Sequence, residues 1–249
     1  MIKDKLYYRM LKFLHISVFL LSFCSVPCSN AENMKSECVI LLHGLARTSL
    51  SMDKMADSLE VKGYKTVNYD YPSREKSIKF LSETIIPQAL NKCSAYNPWK
   101  IHFVTHSMGG ILVRYYLSNK SISNLGKVVM LSPPNQGSEV VDKLSNFPGF
   151  TLINGAAGHE LGTDSESVPL NLGPADFELG IITGNKSLNL ILSLLIPGTD
   201  DGKVSIERAK LQGMSDFLVV PHSHTFIMES DDVIKQTIYF LHHGYFKKE

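Results

Sequence analysis

Thr105-His106-Ser107-Met108-Gly109-Gly110 is the stretch of this chain best suited to covalent chemistry. It lies between an apolar run, Lys100 to Thr105, and a helical pattern, Met108 to Leu117. A serine on a tight strand-to-helix turn exposes its hydroxyl above a sheet, where it can attack a carbonyl carbon. The residues beside such a turn must be small, because strand and helix pack closely there. Gly109 meets that need, whereas Thr105 brings a branched Cβ to the other side. The plainer role for Ser107 is a helix cap. A neutral hydroxyl is a weak nucleophile until an imidazole takes its proton. Five histidines follow Ser107: His159, His222, His224, His242 and His243. A carboxylate that fixes the imidazole tautomer and stabilises its protonated form completes such a relay. Thr199-Asp200-Asp201-Gly202-Lys203-Val204 offers two, with a plain Asp-Gly turn as the simpler reading. Asp176 and Glu178 are rivals on the wrong side of the strand at Phe177.

These residues need a framework, and the periodicity supplies one. Strands alternate with helical patterns, which predicts an α/β fold with a mainly parallel central sheet flanked by helices. Cys38 to Leu42 is a continuous apolar run, as for a strand buried on both faces. Thr66 to Tyr71, Lys127 to Leu131, Phe177 to Thr183 and Asp216 to Val220 read as further strands. Ser51 to Lys62, Ser77 to Cys93 and Ser230 to His242 read as helices, with Pro87 expected to kink or interrupt the second. From 132 to 174 the pattern breaks down into Gly, Pro, Ser and Asn, with weak helical pieces at Val140 to Leu144. Long irregular segments in compact domains are usually lids or binding loops. Leu188 to Ile196 is strongly apolar, either lining the site or forming a core helix.

With the framework in place, the chain resembles the α/β-hydrolase superfamily, in particular the small bacterial triacylglycerol lipases and esterases. The resemblance runs from about Val39 to Phe246. It is carried by Val39-Ile40-Leu41-Leu42-His43-Gly44-Leu45, by the Ser107 turn, by Ser132-Pro133-Pro134-Asn135-Gln136-Gly137-Ser138, by Asp201-Gly202-Lys203-Val204 and by His224-Thr225-Phe226. In that family the chain order is serine, then acid, then histidine. The resemblance therefore implies Ser107 as nucleophile, Asp201 as acid with Asp200 as substitute, and His224 as base in preference to His222. His43 falls outside this order and reads as a structural histidine. The backbone N–H groups of Leu45 and Met108 would hold the oxyanion. The implied activity is ester hydrolysis on small-molecule or lipid substrates, without a cofactor or metal. A thioesterase or acyltransferase on the same three residues, or a non-catalytic binder on the same fold, are the alternatives.

Composition sets outer bounds. The chain has 249 residues, 44% of them hydrophobic and 20% charged, the range of an ordinary globular protein. Residues 1–31 hold four basic residues and one acid, followed from Phe13 by an apolar stretch and closed by Ser29-Asn30-Ala31. This order predicts a cleaved signal peptide and hence a periplasmic or secreted protein; an uncleaved N-terminal anchor is the other reading. The remainder carries 21 basic and 23 acidic residues, a net of −2, which gives no charge-based reason to bind nucleic acid. Contact with a membrane surface is expected only through a lipid substrate. Export would permit a disulfide between Cys38 and Cys93, although two small buried side chains fit the sequence as well.

Overall fold

The computed structural model describes residues 36–248. The segment 1–31, with its targeting pattern, lies outside them. Six strands form one sheet: β1 (Glu37–Leu42), β2 (Lys65–Tyr69), β3 (Lys100–His106), β4 (Leu125–Leu131), β5 (Leu179–Gly184) and β6 (Asp216–Val220). All neighbours pair in parallel, in the order β2-β1-β3-β4-β5-β6. The helices are α1 (Asp53–Val61), α2 (Ile78–Ser94), α3 (Met108–Asn119), α4 (Glu139–Leu144), α5 (Phe150–His159), α6 (Leu190–Ser193), α7 (Ile206–Ala209) and α8 (Asp231–His243). The expected α/β architecture with a parallel sheet is thus the observed one.

The alternation of β1 shows why its sequence is apolar throughout. Cys38, Ile40 and Leu42 pack with Ile78 and Leu81 of α2 and Ile111 and Leu112 of α3. Val39 and Leu41 point the other way, into a layer with Met55 and Leu59 of α1 and Val233 and Phe240 of α8. Burying each such side chain contributes about 1.5–3 kcal/mol. A disulfide joins Cys38 to Cys93 at the end of α2, with Cα atoms 6.0 Å apart, and so pins that helix to the sheet.

The structure sharpens three of these expectations. Pro87 lies inside α2 without ending it. It sits on the exposed face, one turn beyond the exposed Glu83, so the carbonyl it leaves unbonded is on the solvent side. The 132–174 stretch contains α4, as the Val140 to Leu144 pattern suggested, but also α5, which bends at Gly155 (φ 63°). Gly155 and Gly158 mask that helix in the sequence, because glycine is a poor helix former. The Leu188 to Ile196 segment is a single helical turn whose Leu190, Ile191 and Leu194 are exposed, so it is no core helix.

One buried side chain makes three of the bonds that tie the irregular stretch to the core. Arg114 on α3 is buried, and its guanidinium donates to the carbonyls of Asn135 (2.9 Å), Pro169 (3.1 Å) and Gly173 (2.9 Å). Burial lowers this arginine to about 10. Asn135 passes the link on, donating from Nδ2 to the Ala209 carbonyl at 2.8 Å.

Candidate active site

Ligands of open parallel sheets bind beyond the carboxyl ends of the strands, where the strand order reverses. Here the chain runs from β1 outward to β2 and then returns to β3 on the other side of β1. Leu45 follows β1 and Ser107 follows β3, so the switch point brings the two loops together. His224 follows β6 and Asp201 lies in the loop after β5, both at the same edge.

Ser107 has φ 53° and ψ −123°, and its N–H donates to the Leu131 carbonyl at 2.8 Å. The turn fits only because its neighbours are small. A Cβ on Gly109 would lie 2.7 Å from the Leu42 carbonyl oxygen and 2.9 Å from that of His43. The branched Thr105 is accommodated because room is made at Gly110, where a Cβ would lie 3.2 Å from Thr105 Oγ1.

His224 Nε2 lies 3.1 Å from Ser107 Oγ, and His224 Nδ1 lies 2.9 Å from Asp201 Oδ2. A carboxylate only accepts, so Nδ1 carries the proton and Nε2 is left to accept from the serine hydroxyl. Asp201 Oδ1 accepts from the N–H groups of Lys203 (3.0 Å) and Val204 (2.9 Å). Burial alone would raise the Asp201 carboxyl. The His224 imidazole beside it, its hydrogen bond and the Val204 N–H outweigh that and hold the carboxyl below its usual range. The Ser132 hydroxyl lies near enough to add to this lowering, though without a well-formed hydrogen bond. Of the two residues expected to hold the oxyanion, Met108 follows Ser107 in the chain and Leu45 lines the same cavity as Ser107. The arrangement is a connected carboxylate–imidazole–hydroxyl chain. Such a chain can move a proton off Ser107 as the hydroxyl attacks a carbonyl.

The other candidates lie elsewhere. His222 Nε2 pairs with Asp232 at 2.8 Å on the surface. Asp200 Oδ1 accepts from the Gly202 N–H at 2.7 Å and from Ser193 Oγ at 2.6 Å, and so shapes the acid loop. Asp176 and Glu178 precede β5, at the opposite end of the sheet. His43 is fully buried and stacked on Tyr71 with ring centroids 4.0 Å apart; burial lowers it and keeps it neutral, as a structural histidine.

One residue acquires a role that the sequence did not suggest. His106 Nε2 donates to the His224 carbonyl at 3.0 Å, across 118 residues of chain. Burial, then the neighbouring His224 and Arg47, push this imidazole well below its ordinary value, so it stays a neutral donor. The x in a serine turn carries no signal for such a contact; only the fold brings it to the His224 loop.

A cavity of about 390 Å³ opens beside Ser107 and His224. Its walls come mainly from the 132–174 stretch, including Val141, Leu144, Phe147, Phe150 and Ile153, and Leu192 of α6 reaches it as well. The stretch read as a lid or binding loop therefore forms most of the cavity wall.

The sequence matches a family model described as the alpha/beta hydrolase fold over residues 37–155. No curated protein matches the chain. Solved structures give likenesses of fold. The mature form of the Bacillus licheniformis lipase BlEst2 is 18% identical, covering 84% of this chain and 93% of its own, with a TM-score of 0.65. Phospholipase PlaB from Legionella pneumophila is 19% identical over 83% of this chain, with a TM-score of 0.64, and 58% of its own length is spanned. A thermophilic esterase from Thermogutta terrifontis is 14% identical over 84% of this chain and 91% of its own, with a TM-score of 0.59.

Proposed function

From a chain with the α/β-hydrolase fold and a lipase-like build, we propose a serine carboxylic-ester hydrolase working through an acyl-enzyme on Ser107. The observation that carries this is the continuous relay from Asp201 Oδ2 through His224 to Ser107 Oγ, at 2.9 Å and 3.1 Å.

Ser107 Oγ attacks the ester carbonyl carbon while its proton passes to His224 Nε2. The carbonyl oxygen becomes an oxyanion beside the Leu45 and Met108 N–H groups. Each such donor is worth roughly 100- to 1000-fold in rate. Asp201 stabilises the imidazolium and holds its Nδ1–H. The intermediate collapses, the C–O bond to the alcohol breaks, and the alcohol leaves with the proton from His224. Water then attacks the acyl-enzyme and gives His224 a proton. The second collapse releases the acid and returns the proton to Ser107.

The apolar wall of Val141, Leu144, Phe147, Phe150 and Ile153 suits an acyl chain. The exposed Leu188, Leu190, Ile191 and Leu194 lie on the segment that sends Leu192 into the cavity. We assign them to contact with a lipid aggregate that delivers substrate. Export to the periplasm or the medium belongs to the same reading, on the basic-then-apolar order of residues 1–31 and the Cys38–Cys93 disulfide.

The test is fluorophosphonate labelling of the folded protein, together with a chain-length series of nitrophenyl esters. Wild type labels at Ser107 and turns over esters. Ser107→Ala and His224→Ala lose nearly all activity, and His222→Ala loses little. An unlabelled Ser107 in folded protein, or a dead His222→Ala beside an active His224→Ala, overturns the assignment.

A further inference from the structure

The residues lining the cavity include two basic side chains, Arg47 and Lys203, and no aspartate or glutamate. The other lining residues are apolar or neutral polar side chains and the two imidazoles of His106 and His224, so the pair supplies the charge at the cavity. Arg47 is anchored through its side chain, and Lys203 through its backbone. Arg47 comes from the loop after β1, two residues beyond Leu45, and its Nη2 donates to the carbonyl of Thr225 at 2.7 Å, the residue after His224. That uses one of the five guanidinium donors. The Lys203 backbone is held on both sides: its N–H donates to Asp201 Oδ1 at 3.0 Å, and its carbonyl accepts from Ser138 Oγ at 2.7 Å. Its ammonium has neither a hydrogen bond nor an ion pair with another described residue, whereas Lys54 and Lys210 do.

The two cations also feel one another. Lys203 keeps open surface, but protein packed around its ammonium, and then the charge of Arg47, lower its pKa. Two carboxylates partly oppose this repulsion. Glu229 attracts Arg47 and Asp201 attracts Lys203. Glu229 does not line the cavity, and Asp201 is fully engaged by His224 and two amides. Among the described residues, no carboxylate lines the cavity to neutralise the pair from inside it.

We propose that Arg47 and Lys203 form an anion-binding subsite, so that the preferred substrate is an ester carrying a phosphate or carboxylate near the scissile bond. This rests on the ester-hydrolase reading of Ser107. The apolar wall takes the acyl chain, and the cation pair takes the charged part of the same molecule. Arg presents a fork that fits either anion, and Lys adds a point charge. Selectivity then comes from the charge of the alcohol or acid portion rather than from chain length alone.

Binding and turnover test it separately. Octyl phosphate, nonanoate and octanol share a similar tail and are titrated into wild type by calorimetry at low salt. At least one of the anions binds tenfold or more tighter than octanol, and which one identifies the headgroup. Raising the ionic strength shrinks the gap. Lys203→Glu abolishes the preference, and Arg47→Gln reduces it. For turnover, kcat/KM is compared between a neutral monoacylglycerol, the matching lysophosphatidylglycerol and the matching O-acyl lactate. The anionic-to-neutral ratio exceeds about ten in wild type and drops toward one in Lys203→Glu. Equal binding of octanol and both anions, or a ratio indifferent to Lys203→Glu, overturns the subsite. Failure of all esters with no labelling of Ser107 overturns the hydrolase reading instead, while the binding titration still decides the subsite.

Discussion

Asp201→Asn isolates the electrostatic part of the relay with almost no change of shape. In the native protein Asp201 Oδ1 accepts from two backbone N–H groups, those of Lys203 and Val204. An asparagine in that position must put its single oxygen there, because an NH2 group would face two donors. Its NH2 is then forced into the Oδ2 position, 2.9 Å from His224 Nδ1. A donor at that point requires Nδ1 to be the acceptor, so the imidazole proton moves to Nε2. That nitrogen faces Ser107 Oγ at 3.1 Å and can no longer take the hydroxyl proton. The Leu45 and Met108 backbone and the cavity are untouched. Loss of the base in its correct tautomer costs about 10³- to 10⁴-fold in kcat, or about 4–5.5 kcal/mol of transition-state stabilisation. The assay is nitrophenyl ester hydrolysis under saturating conditions near neutral pH, with near-ultraviolet circular dichroism to verify the fold. KM should move little. A variant that keeps its fold and retains kcat within tenfold of wild type refutes the relay.

Three further perturbations test how the framework supports the site. Replacing both Cys38 and Cys93 by alanine removes a cross-link spanning 55 residues, for which chain entropy gives about 4 kcal/mol of lost stability in urea unfolding; a loss under about 1 kcal/mol argues against that account. Arg114→Met strands three loop carbonyls and should destabilise by roughly 3 kcal/mol or more, with apolar ligand binding to the cavity weakened as well; unchanged urea midpoints contradict this. His102 is pushed down to about 4, first by burial and then by Lys127 and Lys100, against about 6.5 in the unfolded chain. The unfolded chain therefore takes up the proton first as pH falls, so stability is full above about 6.5 and declines by up to ~3 kcal/mol toward pH 4. A Tm series over that window should be flatter in His102→Gln; parallel slopes would remove His102 from the account.

The parallel sheet was legible because burial on both faces leaves an unmistakable mark on strands such as β1, where five consecutive apolar residues divide between two layers. Ser107, His224 and Asp201 were legible for a different reason. Each follows a strand at one edge, and the flanking Gly109, Pro221 and Gly202 punctuate the chain there. Separating His224 from His222 relied on loop placement, and the geometry gives its basis: His222 leaves β6 toward Asp232, while His224 turns back over the sheet. What escaped the sequence depends on contacts between distant segments. α5 was hidden by Gly155 and Gly158, and at Gly155 the backbone itself leaves the helical region. The bond from His106 to the His224 carbonyl and the grip of Arg114 on Pro169 and Gly173 have no periodicity to betray them. Pro87 does not end α2, which runs on to Ser94.

The backbone of Ser107 has a further consequence. At φ 53° and ψ −123° it occupies ground that glycine holds freely and serine holds at a penalty of about 1–3 kcal/mol. The two packed layers keep it there against its own preference. Trading this serine for glycine would release that tension and raise the melting temperature, yet leave no hydroxyl to react. Endurance and turnover therefore pull in opposite directions at a single residue, and selection for heat resistance alone would erase the nucleophile.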